Sequence, residues 1–214
     1  MRTVLLPVLA LLAASCGSRE KLEDVFYPMG GIPMRITAFD VTQSRFDALF
    51  EEVRGRVEDL EGELSMFIPD SDIAMLNTKG AGEVSEDTVA VVEQALRLCK
   101  NTGGAFDPTV GPLMELWHNA AATDRAPEPK DLAAALERVG CNKVETSRSR
   151  SRVHLGQAGM RLDLGGIAKG YAAGEAAAIM QAHGVTRGIV DLGGDVVLFS
   201  GKGDPPFRVG IKHP

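Results

Sequence analysis

The run MRLDLGGIAKG, Met160 to Gly170, joins a carboxylate, a glycine pair and a lysine at the point where a strand should give way to a helix. Asp163 closes the apolar stretch, Gly165 and Gly166 make the turn, and Lys169 falls in the first turn of the helix. A helix N-terminus leaves its first N–H groups unpaired and carries the positive end of the helix dipole, so an anion is favoured there. Lys169 adds a full charge, and the whole reads as a phosphate cradle or as a glycine turn followed by a solvated lysine. It is neither a G-x-x-x-x-G-K-[ST] loop nor a G-x-G-x-x-G fingerprint. A second segment, TGGAFDPTVGP from Thr102 to Pro112, sets Phe106 and Asp107 on a rigid irregular loop. That carboxylate can receive hydroxyls, an amino group or a metal, or it can bond its own loop as an Asx-turn. A third, VDLGGD from Val190 to Asp195, repeats strand, glycine pair and aspartate, and also fits a hairpin turn.

The elements that must hold these segments follow from periodicity. Ile32, Met34, Ile36 and Ala38 alternate as in a half-buried strand. The period then changes: Phe46, Leu49, Phe50, Val53, Val57, Leu60 and Leu64 recur at three and four, the stripe of an amphipathic helix. A second helix is predicted from Ser85, a good N-cap, to Asn101, a third from Pro129 to Val139, and a fourth from Ile167 to a Gly184 C-cap. Short strands are predicted near Lys143 to Thr146, Arg152 to Leu155, Met160 to Leu164, Gly188 to Leu192, Val196 to Ser200 and Phe207 to Ile211. The adjacent apolar pair Leu198 and Phe199 suggests burial on both faces. Met29-Gly30-Gly31 and Ser65-Met66-Phe67 pass as turn or core, and Trp117 as an apolar plug. The architecture is mixed α and β.

Composition narrows the partners. The 214 residues are 44% hydrophobic and 24% charged, as in a folded domain, and a net charge of −6 without a basic stripe argues against nucleic acid. Val4 to Ala14 is an apolar run after Arg2, shorter than the ~20 residues that span a bilayer, and it ends in Ala13-Ala14-Ser15-Cys16. This reads as an export signal over residues 1–15, with Cys16 placed for cleavage and lipidation and 16–28 as a tether, or as an ordinary signal peptide with an incidental Cys, since Ala13 stands where a lipobox usually has Leu. Two or more acyl chains anchor stably where one does not. Cys99 and Cys141 are then the remaining thiols; they can pair, but Cys99 on the face of Val89, Val92 and Leu96 fits a small buried hydrophobe better. The four histidines, at 118, 154, 183 and 213, form no zinc motif, and no G-x-S-x-G occurs.

Taken jointly, GGAFDPTVGPLMELW and LDLGGIAKGYA make the chain resemble the FAD:protein FMN transferase family, the ApbE-like lipoproteins, from Met29 to Pro214. The resemblance implies an α+β fold of mixed sheets packed with helices, T-fold-like, over 29–214. It implies that FAD is bound and, with Mg²⁺, cleaved at its pyrophosphate. The FMN phosphoryl then passes to a Thr or Ser of an exported flavoprotein and AMP is released. Phosphoryl transfer asks a protein mainly for positioning and charge neutralisation. Carried over by motif, Met29, Phe67, Ala105, Phe106, Asp107, Asp163 and Lys169 should line the FAD site, with Asp163 and Lys169 catalytic and the Gly166 carbonyl a Mg²⁺ ligand. The implied location is the bacterial cell envelope, facing the periplasm or exterior, with a lipid anchor at Cys16. An FAD-binding lipoprotein without transfer activity is the alternative.

Three positions depart from the family pattern: Phe67 stands for a Tyr, Gly31 for a Thr and Gly174 for an Asp. The tyrosine hydroxyl absent at Phe67 costs about 0.5–1.5 kcal/mol while ring stacking is kept. Family members also continue past Pro214 with a His-containing motif and the Asp and Thr of the metal site, so the resemblance implies a C-terminally truncated chain.

Overall fold

A computed structural model describes residues 20–210. The segment expected to be an export signal, the expected lipidation site Cys16 and the last four residues lie outside the described residues. β1 (Lys21–Phe26) pairs antiparallel with β2 (Met34–Phe39), so the sheet begins inside the 16–28 segment expected to be tether. Glu23 explains part of that pairing, since it takes hydrogen bonds from Arg35 and Thr37 of β2 at 2.7 and 2.9 Å. β2 buries Met34, Ile36 and Ala38 completely, the alternating set read from the sequence.

The helix α1 (Gln43–Leu64) buries the seven predicted apolar residues and no others. α2 (Asp72–Lys79) and the short β3 (Ala81–Glu83) escaped the periodicity reading because each is too short to show a stripe. α3 (Glu86–Asn101) starts at Ser85, whose hydroxyl accepts the Thr88 N–H as an N-cap. α4 (Gly111–Thr123) and α5 (Pro129–Leu136) follow; α5 ends earlier than predicted, and Trp117 on α4 is half exposed rather than a plug. β4 (Val144–Ser147) and β5 (Arg152–Leu155) complete a three-stranded antiparallel sheet in the order β3-β5-β4.

α6 (Ala168–Ala182) leads to β6 (Gly188–Leu192) and β7 (Asp195–Phe199), giving a four-stranded antiparallel sheet β1-β2-β6-β7. The α6 helix lies on β6 and β7 and against α1. Its contact face is Ala172, Ala173, Ala176 and Ala177, all buried, and such small side chains let helices approach closely. Full burial of a Leu, Ile or Met contributes about 1.5–3 kcal/mol each, and Leu49, Leu60, Ile36, Met180 and Leu192 share this core. The α+β class holds.

Three strand expectations need correction. β7 is an edge strand, and Val196 and Leu198 are exposed instead of buried on both faces. Met160 to Leu164 forms no ladder beyond one bridge between Val110 and Arg161. The side chain of Asn77 substitutes for a neighbouring strand, donating to the Leu162 carbonyl at 2.9 Å and accepting its N–H at 2.6 Å. Residues 207–210 are not a strand either. Two prolines before them lack N–H donors. The Arg187 guanidinium lies 3.7 Å from the Phe207 ring and donates to the Pro205 carbonyl at 2.7 Å.

Cys99 and Cys141 are joined in a disulfide across 42 positions, with Cα atoms 6.6 Å apart. This corrects the expectation of an unpaired buried thiol. Cys99 is on the buried face of α3 as predicted, but its partner arrives from the turn before β4, a contact that no local pattern encodes.

Candidate functional site

A cavity of about 360 Å³ opens where three stretches of chain meet. The turn before β2 contributes Met29 and Ile32, the end of α1 and its following turn contribute Leu64, Met66 and Phe67, and the glycine turn contributes Asp163, Leu164 and Lys169. The floor is therefore apolar, with a carboxylate and an ammonium on one side, the usual make-up of a small-molecule pocket. Phe67 is 76% exposed and stands at the rim.

The charged side of the cavity is built locally. Asp163 accepts the Gly165 N–H at 2.8 Å, which folds the turn back on itself. The turn delivers the chain into α6 with no side-chain cap, the Leu164 carbonyl accepts the Ala168 N–H at 2.8 Å, and Ala168 and Lys169 at the helix start line the cavity. Lys169 pairs with Asp195 at 2.8 Å. Asp195 reaches it because Gly193 and Gly194, both left-handed at φ +59° and +97°, close a two-residue hairpin between β6 and β7. The VDLGGD segment is thus a hairpin turn that also positions a lysine partner.

α6 is held at its first turns by a polar network. The Tyr171 hydroxyl donates to Asp87 at 2.7 Å, and Arg56 donates to both Asp87 oxygens and to Glu175. The Arg56 guanidinium holds the Asp87 carboxyl below its ordinary range, whereas burial and then the Asp87 charge push the Tyr171 phenol up. Burial also raises the Glu63 carboxyl, against the opposing effect of its Ser85 hydrogen bond. The network ties α6 to α1 and α3, and so fixes where Lys169 emerges.

The loop carrying Ala105, Phe106 and Asp107 lies behind the glycine turn. The Asp163 N–H donates to the Pro108 carbonyl at 2.8 Å, and a Cβ placed on Gly166 would come within 3.1 Å of the Phe106 ring. Phe106 thus supports the turn from its far side. Asp107 does not line the cavity. One of its carboxylate oxygens accepts the N–H and hydroxyl of Thr109 at 2.8 and 2.6 Å, and the other accepts the Cys141 N–H at 3.2 Å. Ala105 is exposed and absent from the cavity wall. Met29, Phe67, Asp163 and Lys169 are therefore brought together, while Ala105 and Asp107 stand apart.

Glu61 was missed from the sequence. It lines the cavity and accepts the N–H groups of Met29 and Gly30 at 2.7 and 2.9 Å. One glutamate among several on the polar face of α1, it carries no signal of its own. As for a metal, Asp163 and the Gly166 carbonyl offer hard oxygens in one turn, fewer than the six that Mg²⁺ takes. Among the described residues, the one cluster of three metal-type side chains is Cys99, Asp107 and Cys141, whose sulfurs are bonded to each other.

Residues 30–214 match the ApbE family. A Treponema pallidum FAD:protein FMN transferase is 35% identical over 210 residues, covering 93% of this chain and 55% of that relative. A Klebsiella pneumoniae FAD:protein FMN transferase is 30% identical, covering 84% of this chain and 54% of the relative. Among solved structures, the Thermotoga maritima ApbE protein superimposes with a TM-score of 0.80 at 29% identity, over 91% of this chain and 64% of that one. The Vibrio cholerae flavin transferase ApbE gives 0.79 at 25%, over 92% and 65%. The chain spans about half the length of the curated relatives it matches.

Proposed function

The chain belongs to the ApbE family, and on that footing we propose that the protein is an FAD:protein FMN transferase whose dinucleotide enters the Met29–Phe67–Lys169 cavity. The observation that carries this reading is that Asp163 and Lys169 share one apolar hollow at an uncapped helix start. The flavin ring lies on the apolar floor under Phe67, and the pyrophosphate lies against the N-terminus of α6 and the Lys169 ammonium. A threonine or serine hydroxyl of an exported flavoprotein then attacks the FMN phosphorus. A new P–O bond forms, the hydroxyl proton is released, and the bond to the AMP oxygen breaks so that AMP departs with its electron pair. Mg²⁺, when bound, would neutralise phosphate charge. Asp163 and the Gly166 carbonyl would supply two of its ligands, fewer than the octahedron that Mg²⁺ takes. The export pattern of residues 1–15 and Cys16 support a lipid-anchored protein of the bacterial envelope.

The test is an FAD titration of the parent protein, Lys169→Ala and Asp163→Ala, followed by incubation with FAD, Mg²⁺ and an acceptor protein. Charge-assisted hydrogen bonds contribute about 1.5–3 kcal/mol, so either substitution should weaken FAD binding about tenfold or more. Flavin fluorescence should appear on the acceptor in a denaturing gel. Unchanged affinity in both variants would remove the site assignment; tight binding without a labelled acceptor would select the non-catalytic FAD-binding lipoprotein.

A further inference from the structure

Met29, Gly30 and Gly31 hold three consecutive left-handed conformations, with φ of +52°, +80° and +86°. Glycine adopts them freely, whereas a residue with a Cβ is disfavoured there and stays only when its surroundings over-determine it. The Ile32 N–H closes the turn on the Pro28 carbonyl at 2.9 Å but does not engage residue 29 itself. What does engage it is Glu61, in the last turn of α1. One carboxylate oxygen accepts the Met29 N–H at 2.7 Å and the other the Gly30 N–H at 2.9 Å. Both bonds have an ionised acceptor, the stronger class. Successive N–H groups directed to one side form a concavity suited to an anion, and here a side chain of the same chain fills it.

Met29 is half-buried, packs against the main core and lines the cavity, so its conformation sets the shape of that wall. We infer that Glu61 is a positioning residue of the flavin site: its carboxylate holds Met29 in the left-handed conformation and thereby fixes the Met29 side of the cavity. This rests on the FAD reading above. It also assigns direction, because the Met29–Gly30 concavity is already filled by a negative group, so the phosphates of the dinucleotide are turned toward Lys169 at the other side. Glu58, exposed on the same helix, serves as the control.

The experiment compares the full-length parent protein with Glu61→Ala, Glu61→Gln and Glu58→Ala by FAD titration, thermal melting and flavin transfer. Glu61→Ala should raise Kd and KM for FAD about tenfold with kcat nearly unchanged, the equivalent of about 1.4 kcal/mol. Glu61→Gln, with one acceptor oxygen for two donors, should recover part of the loss, and Glu58→Ala should match the parent. If Glu61→Ala does not fold, the Gln variant carries the comparison, with hydrogen exchange at the Met29 and Gly30 amides expected to rise along with Kd. A lowered Tm with Kd unchanged in the Glu61 variants would make Glu61 merely structural and overturn the inference alone. A parent protein that binds no FAD would overturn the functional reading, and this one with it.

Discussion

Reducing the Cys99–Cys141 bond is a perturbation that adds two hydrogens and changes no other atom, so its effect can be worked from chain geometry. The bridge closes 42 positions of sequence. The chain-entropy relation for a loop of that length gives about 4 kcal/mol of stabilisation through the unfolded state. For a chain of this size, each kcal/mol moves Tm by about 2–4 °C, so full reduction should lower Tm by about 8–16 °C. The loss should be felt near the site as well, because the Cys141 N–H donates to Asp107 at 3.2 Å and the Gly140 N–H to Thr109 at 2.7 Å. Those bonds tie the bridge to the loop that supports the glycine turn. The assay is thermal unfolding with and without dithiothreitol, with alkylation and mass spectrometry to show that both thiols are free. Hydrogen exchange at Gly140 and Cys141 should also quicken. A Tm shift below about 3 °C at complete reduction would refute the account.

Other substitutions probe the same framework. A Cβ at Gly111 would lie 2.7 Å from both the Cβ and the carbonyl oxygen of Arg161. Gly111→Ala should therefore force the Asp107 loop away from the Arg161–Asp163 segment and cost about 1–3 kcal/mol, read as a lowered Tm together with, on the proposed function, weaker FAD binding. An unchanged Tm would show that the two segments can part freely. Glu23, whose carboxyl is held at about 2 by its Lys21 hydrogen bond first and by Thr37 and Arg35 after it, should stabilise the sheet above pH 4.5. Because its folded value is depressed, that contribution is lost as pH falls from 4.5 toward about 2. Glu23→Gln should be less stable than the parent at neutral pH, with the difference closing as pH falls through about 2, in urea melts across that range.

Local pattern was enough for the features that depend on neighbours a few residues apart. The α1 stripe from Phe46 to Leu64, the Ser85 cap, the left-handed Gly184 and the helix start that carries Lys169 were all legible, because helical periodicity and capping act within one or two turns. The motif pair also identified the family. Contacts between distant segments were not legible. Cys99 reads as a core residue until Cys141 arrives from the turn before β4, and the sequence leaves Asp107 open between a ligand and a carboxylate bonding its own loop, where the fold gives its oxygens Thr109 and Cys141 as partners. Met160 to Leu164 reads as a strand until the Asn77 side chain occupies the place of a neighbouring one. Glu61 and Asp195 became site residues when the fold brought α1 to the Met29 turn and the β6–β7 hairpin to α6. Local geometry is written in short-range spacing, but which polar group receives which partner is fixed by packing across the whole molecule.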